Sequence, residues 1–178
     1  MTNMQIIDNF MPTEWWQDTY NIIDGDNFPW YLNKCTSYGE DNYYQMTHAY
    51  WVHNKVHSDW FTTIQPLINE FQKQTTYQLK NICRIKSNLL FNRPISVEQK
   101  QKIIHQDSED PNYVTLLYYL QDSDGDTILY KDDKKTELMR IQPKANRAVI
   151  FDSRTWHTGE LPVKNQTRSI INFVFEIK

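Results

Sequence analysis

The sequence YVTLLYYL at residues 113–120 is a near-continuous run of β-forming residues in the middle of the chain. Such a run, with little alternation between polar and apolar residues, is typical of a strand that is covered on both faces. The sequence His105-Gln106-Asp107 precedes it, and further short β-like runs follow it as far as Arg168. This stretch predicts a β-rich core around which the rest of the chain is organised.

Further short strands are predicted on both sides of this run, with turn-forming residues between them. Their regular spacing favours a barrel or jelly roll over alternating β/α units, and we therefore expect a mainly β, α+β chain. The predicted strands are Gln5–Phe10, Ile82–Phe91, Lys102–His105, Tyr113–Leu120, Thr127–Tyr130, Glu137–Ile141, Arg147–Phe151 and Ser169–Glu176. In the second of these, Arg84, Lys86, Asn88 and Leu90 are expected on one face.

Two amphipathic helices are predicted before this core. One covers Glu14–Ile23 with Thr13 as its N-cap, and the other follows Ser58 and is interrupted by Pro66. The aromatic, turn-rich residues 28–51 give no assignable element. We expect a single domain over residues 1–178, in which residues 1–80 support a core formed by residues 81–178.

Composition narrows the class of protein. The chain has 178 residues and a formal net charge of -3, which gives no nucleic-acid signature. Its two cysteines, Cys35 and Cys83, favour reduced thiols over a disulfide framework. The N-terminus has no secretory pattern and no apolar run has the length of a membrane span, so a cytoplasmic protein without membrane contact is expected.

The residues that suggest chemistry are two histidines and an aspartate. His105 and Asp107 are two apart on an extended segment and therefore point the same way. With His157 they would form a facial triad of two imidazoles and one carboxylate, a donor set that suits non-haem Fe(II). A His-x-Asp pair taken alone is more often part of a solvated turn.

Arg168 supplies the context that favours a functional site. It opens the last predicted strand, where a buried guanidinium would be costly unless it met an anion. A guanidinium binds a carboxylate in two-point fashion, so a dicarboxylate cosubstrate is its natural partner. The alternative is an arginine at a strand end that extends to water.

With these motifs in order, the chain resembles the 2-oxoglutarate/Fe(II)-dependent oxygenases. The similarity is greatest to prolyl 4-hydroxylase-like members and to small versions from phages and marine bacteria. It rests on the triad, on the strand at residues 113–120 and on several short motifs. These are Arg84–Leu89, Asp124–Thr127, Pro143–Arg147, Phe151-Asp152, Trp156-His157 and Arg168–Phe173.

The resemblance implies a double-stranded β-helix with N-terminal helices against its larger sheet, and a dioxygenase that releases succinate and carbon dioxide as it hydroxylates a substrate. It implies that His105, Asp107 and His157 bind Fe(II). It also implies that Arg168 binds the C5 carboxylate of 2-oxoglutarate. The residues implied to complete the cosubstrate pocket are Tyr119, Thr127, Thr115, Leu117 and Asn88.

Two departures from the family pattern stand out. Many relatives have a tyrosine where this chain has Ile95 and Ser96, and the usual glycine pair before Thr127 is here Gly125-Asp126. Part of the cosubstrate contact is therefore unassigned. Neither departure affects the metal triad.

Other interpretations stay open. A cupin-like metal enzyme that does not use 2-oxoglutarate, or a catalytically silent binding module, could share the fold. The acidic turn at residues 122–126 lacks the glycine position and the final glutamate of a calcium loop. His53 and His57 have the spacing of helical metal ligands but no third partner. The sequence identifies neither the prime substrate, whether peptide prolyl, nucleobase or small metabolite, nor the oligomeric state.

Overall fold

A computed structural model describes residues 4–35, 44–92 and 103–178. Its two helices are α1 (Thr13–Ile23) and α2 (Phe61–Gln74). The strands are β1 (Gln5–Ile7), β2 (Tyr31–Asn33), β3 (Gln45–Val52), β4 (Lys55–Val56), β5 (Leu79–Phe91), β6 (Tyr113–Tyr119), β7 (Thr127–Tyr130), β8 (Glu137–Ile141), β9 (Arg147–Asp152), β10 (Trp156–Gly159) and β11 (Thr167–Ile177). The ranges of β7 and β8 agree with the prediction from sequence.

The strands form two antiparallel sheets that face each other. The larger sheet has the order β1-β9-β6-β11-β5-β3-β2, with β4 added to β3, and the smaller has the order β10-β7-β8. Several neighbouring strands, such as β1 and β9 or β6 and β11, are therefore far apart in sequence, as in a jelly roll. The predicted double-stranded β-helix class is confirmed.

Alternation along β5 explains what each face of the larger sheet does. Ile85 and Ser87 are fully buried on one face, while Arg84, Lys86 and Asn88 point into a cavity on the other. Side chains of a strand alternate between faces with period two, so one strand serves both the core and the cavity. The predicted division of these residues is confirmed.

The helices cover the apolar face of the larger sheet. Four residues on one stripe of α2 are buried there, namely Ile64, Leu67, Ile68 and Phe71. Phe71 packs on Phe175 of β11 with ring centroids 4.8 Å apart, and Trp16 of α1 donates to the carbonyl of Leu120 at 2.8 Å. Truncating a core phenylalanine such as Phe71 to alanine typically lowers the free energy of unfolding by about 3–5 kcal/mol. The helical layer therefore contributes substantially to the stability of the larger sheet.

Several local predictions were wrong. Thr13 is the first residue of α1 and Pro12 occupies the N-cap position. Helix α2 continues through Pro66, and Trp60 rather than Ser58 is its N-cap, although the Ser58 hydroxyl accepts from the Trp60 amide at 3.2 Å. Pro66 is the sixth residue of α2, where a backbone N–H would bond to the Thr62 carbonyl, so the helix continues with one helical hydrogen bond fewer.

The N-terminal part contributes more than support. β3 is an inner strand of the larger sheet, and β1 and β2 form its two edges. His105 forms an isolated bridge to His157 instead of closing a strand from Lys102, which lies outside the described residues. Ile95 and Ser96 lie outside them too. Neither described helix has the length and apolar character needed to cross a membrane.

Candidate metal and cosubstrate site

His105, Asp107 and His157 converge at one place between the two sheets. One potential ligand atom of each lies within 4.8 Å of the others. The Asp107 side chain is 3% exposed, and the His157 Nε2 lies 3.6 Å from Asp107 Oδ2. Two imidazoles and a carboxylate with an open side toward a cavity are the donor set that suits Fe(II), so these residues could hold it.

Backbone contacts orient both imidazoles. His105 Nδ1 lies 3.3 Å from the Ile103 carbonyl, and His157 Nδ1 lies 2.9 Å from the Thr155 carbonyl. An N–H at Nδ1 that donates to a carbonyl leaves Nε2 with its lone pair free for a metal. These contacts favour, in each ring, the tautomer that a metal ligand needs.

The Asp107 carboxylate is held on both oxygens. Arg84 Nη2 donates to Oδ1 at 2.7 Å. Thr115 Oγ1 donates to Oδ2 at 2.9 Å and Asn172 Nδ2 donates to it at 3.2 Å. Partners of this kind fix the orientation of a ligating carboxylate. Arg84 and Asn172 were missed from the sequence, because their role depends on the register of three strands.

Electrostatics keep His105 and Asp107 in their metal-binding forms. Burial and then the nearby charge of His157 lower the pKa of His105 from 6.5 to about 4. Burial alone would raise the pKa of Asp107, but the charges of His157, Arg84 and His105 outweigh it and hold that pKa well below its usual range. At neutral pH the His105 ring is therefore neutral and Asp107 is ionised.

Arg168 occupies the other end of the same cavity and is 3% exposed. Its Nε donates to the Gly125 carbonyl and its Nη2 to Thr127 Oγ1, both at 2.6 Å. Tyr119 also donates to Thr127 Oγ1, at 2.7 Å. Because Thr127 accepts from both, its own hydroxyl proton is available to a ligand.

Two glycines leave the space that the Arg168 side chain occupies. A Cβ added at Gly159 would lie 3.1 Å from Arg168 Nη1, and one added at Gly125 would lie 3.0 Å from Arg168 Cδ. A side chain at Gly159 would occupy the space directly against the guanidinium. Among the described residues no carboxylate forms an ion pair with Arg168. A buried guanidinium of this kind fits the carboxylate of a ligand.

The predicted site residues share one cavity of about 310 Å³, with two exceptions. Those that line it are His105, Asp107, His157, Arg168, Thr127, Leu117 and Asn88. Tyr119 does not line the cavity, because it is fully buried behind Thr127, and the Arg168 Cζ lies 5.7 Å from the centre of its ring. Thr115 does not line the cosubstrate end as predicted, because its position on β6 places its hydroxyl against Asp107. Neither His53 nor His57 is helical or near the triad.

Comparison with known proteins agrees with the geometry. Residues 93–176 match the model of the 2OG-Fe(II) oxygenase superfamily. That segment contains all three triad residues and Arg168. The resemblance to the 2-oxoglutarate/Fe(II) oxygenases is therefore confirmed, and the cofactors implied for this chain are Fe(II) and 2-oxoglutarate. A search of curated proteins gave no match.

Solved structures with the same fold come from the same class. A 2OG-Fe(II) family oxidoreductase from Burkholderia pseudomallei is 13% identical, with a TM-score of 0.73 over 97% of this chain and 84% of that one. A Pseudomonas putida prolyl-4-hydroxylase is 16% identical, with a TM-score of 0.58 over 98% and 92%. A viral collagen prolyl hydroxylase from Paramecium Bursaria Chlorella virus-1, solved with 2OG, is 18% identical, with a TM-score of 0.55 over 98% and 96%.

Proposed function

We propose that this protein is a 2-oxoglutarate- and Fe(II)-dependent dioxygenase that hydroxylates its prime substrate and releases succinate and carbon dioxide. In this proposal His105, Asp107 and His157 hold the iron, and Arg168 binds the C5 carboxylate of 2-oxoglutarate. The observation that carries the proposal is the position of Arg168. It is a buried cation that forms no ion pair with a described carboxylate, in the cavity that contains the triad.

The cost of burying Arg168 supports a dicarboxylate as its partner. A charged group taken out of water is destabilising unless hydrogen bonds and an opposite charge compensate. Gly125 and Thr127 satisfy two of its donors but carry no formal charge. A carboxylate that reaches this end of the cavity would supply the missing negative charge, and a second carboxylate on the same molecule would face the metal.

Three neutral side chains would complete the cosubstrate site. Thr127 would donate its hydroxyl proton to the same carboxylate, while Tyr119 holds Thr127 from behind. Asn88 Oδ1 is buried without a hydrogen-bond partner, although Asn88 lines the cavity. An amide can turn either end toward a ligand, so Asn88 would serve a bound carboxylate through its NH₂ group.

Around the metal, this chain's own residues provide geometry and charge. Fe(II) with 2-oxoglutarate supplies the activation of dioxygen when both are bound. Thr115 and Asn172 keep Asp107 in one orientation, and the carbonyls of Ile103 and Thr155 keep both imidazoles in the ligating tautomer. The protein's role is to fix the ligands and to enclose the reacting groups between two sheets.

The two alternatives fit the site less well. A cupin-like enzyme that does not use 2-oxoglutarate would have no need for a buried Arg168 beside its metal. A silent binding module would have no need for three converging ligands with oriented tautomers. The prime substrate could be a peptide prolyl, as the names of two structural neighbours indicate for those proteins, another residue, a nucleobase or a small metabolite. The single-domain organisation and the cytoplasmic location stay predictions.

The proposal is tested by following 2-oxoglutarate consumption. The purified protein is incubated with Fe(II), 2-oxoglutarate and oxygen, and succinate is measured by mass spectrometry with and without candidate substrates. We expect succinate only when iron is present, and none from His157→Ala or Arg168→Ala. If the wild type binds iron but forms no succinate under any condition, the cupin-like alternative becomes the better account.

A further inference from the structure

The strand β5 brings a second cation to the metal. Lys86 lines the cavity and lies directly opposite Asn172 of β11, whose side chain donates to Asp107. Side chains opposite each other on one face of an antiparallel pair are in contact distance. Lys86 is therefore beside the metal ligands, well along the strand from Arg168.

Lys86 lacks the partner that its neighbour has. Arg84, two residues earlier on the same face, donates to Asp107, and its Nε is buried without any acceptor. No described residue accepts a hydrogen bond from Lys86 or pairs with it as an acid. Burial and the charge of Arg84 lower the pKa of Lys86 to about 8, a value at which the amine is still mostly protonated at neutral pH.

Formal charge leads to the same conclusion. The described residues that line the cavity include three cations, Arg84, Lys86 and Arg168, and one ionised carboxylate, Asp107. They leave a surplus of two positive charges. Fe(II) and doubly charged 2-oxoglutarate cancel each other, so the surplus remains after both bind. Like charges gathered around one cavity raise its electrostatic potential, and such a surplus favours an anionic ligand.

We propose that Lys86 forms a subsite for an anionic group of the prime substrate, a carboxylate or a phosphate, beside the metal. The substrate class is then an acidic small molecule, or a larger one that presents such a group close to the reacting carbon. This inference rests on the proposed function, because it counts both cofactors as bound. In this arrangement Arg168 binds the cosubstrate carboxylate and Lys86 binds the anionic group of the substrate, so the cavity holds two anions at separate cations.

The test uses a simple anion and an uncharged molecule of similar shape. Sulfate and dimethyl sulfone are titrated by calorimetry into the anaerobic protein saturated with Fe(II) and 2-oxoglutarate, at constant ionic strength. We expect saturable binding of sulfate and none of dimethyl sulfone. Lys86→Met should lower the affinity for sulfate by at least about tenfold, because the anion loses its charged partner. Lys86→Arg keeps the charge and should retain most of the affinity.

Controls separate this subsite from the cosubstrate site. Lys73→Met, which removes a lysine that is 76% exposed on α2, should bind sulfate as the wild type does. Affinity for 2-oxoglutarate should be the same in Lys86→Met and the wild type. Equal sulfate binding by Lys86→Met, no saturable sulfate binding by the wild type, or a parallel loss of 2-oxoglutarate affinity would each overturn the inference. A wild type that binds no 2-oxoglutarate would instead refute the proposed function, and this inference with it.

Discussion

His105 and His157 are joined by two backbone hydrogen bonds, in which each amide donates to the other residue's carbonyl, at 3.0 and 2.9 Å. Residues that exchange both bonds stand side by side on one face, and the two ring centroids are 4.4 Å apart. His105 lies outside the named strands, so its position depends on this bridge to β10. Two ligands that are far apart in sequence become neighbours through their main chains.

Removing one of these ligands should remove the metal. We expect His157→Ala to lose most of its Fe(II) affinity, measured anaerobically with 2-oxoglutarate present, because two donors remain where three are needed. His53→Ala and His57→Ala are matched controls, since both residues lie outside the cavity, and they should retain iron. Undiminished iron affinity in a folded His157→Ala protein would show that the triad is wrongly assigned.

The hydroxyl of Thr115 should contribute to iron affinity although it is not a metal ligand. Thr115→Val keeps the shape but removes the donor to Asp107 Oδ2, and loss of such an outer partner typically weakens metal affinity by roughly 10- to 100-fold. Thr62→Val, at an exposed position on α2, is the control and should bind iron normally. Equal iron affinities of the two variants would mean that Arg84 and Asn172 hold Asp107 without help.

Gly159 should be essential for cosubstrate but not for metal. The methyl group of Gly159→Ala would lie 3.1 Å from Arg168 Nη1 and would displace the guanidinium. Because the guanidinium would then no longer meet the carboxylate with both N–H groups, the affinity for 2-oxoglutarate should fall by roughly tenfold or more. Calorimetry on the anaerobic protein measures this, and iron binding without cosubstrate serves as the internal reference. Unchanged 2-oxoglutarate affinity would show that Arg168 has room to move.

His48 should make stability depend on pH. It is buried, with Nδ1 2.7 Å from the Pro29 carbonyl and Nε2 2.8 Å from Ser58 Oγ. Burial lowers its pKa in the folded state below the ordinary 6.5, against the opposing effect of the Pro29 carbonyl. The unfolded chain then binds more protons, so stability is complete above the unfolded pKa and is lost as pH falls through the folded pKa.

Urea unfolding of the metal-free protein at about pH 5.5 and pH 7.5 measures this effect. The free energy of unfolding should be greater at the higher pH, and one such group changes it by up to about 1.4 kcal/mol per pH unit. His48→Gln should reduce the difference between the two pH values. Part of the stability difference should persist in this variant, because the pKa of His105 is also lowered in the folded protein. A wild type that is more stable at the lower pH would contradict this interpretation.

The strands near the site could be predicted because their signals are local. Turn residues bound β7 and β8, and alternation along β5 separates its two faces. The aromatic segment before α2 gave no such signal, since β3 becomes a strand only by pairing with β5. β10 was missed for a similar reason, because its four residues are held by β7.

The triad could be predicted from spacing and resemblance, whereas its supporting residues could not. Arg84 reaches Asp107 across the register of β5 and β11, and no local pattern contains that information. The same register places Lys86 opposite Asn172. The sequence did place Arg84, Lys86 and Asn88 on one face, and three polar residues on one face of a barrel strand were the available signal for a polar cavity.

Titration of 2-oxoglutarate into the anaerobic Fe(II) protein, for the wild type, Arg168→Lys and Arg168→Ala, tests the central claim most directly. We expect saturable binding by the wild type and moderate weakening in Arg168→Lys, which keeps the charge but loses the planar fork. Arg168→Ala should lose about 2–5 kcal/mol, because the buried carboxylate would lack its partner, while iron binding without cosubstrate survives in both variants. If the wild type shows no saturable binding, or Arg168→Ala binds 2-oxoglutarate as well as the wild type, the assignment of Arg168 to the cosubstrate is contradicted.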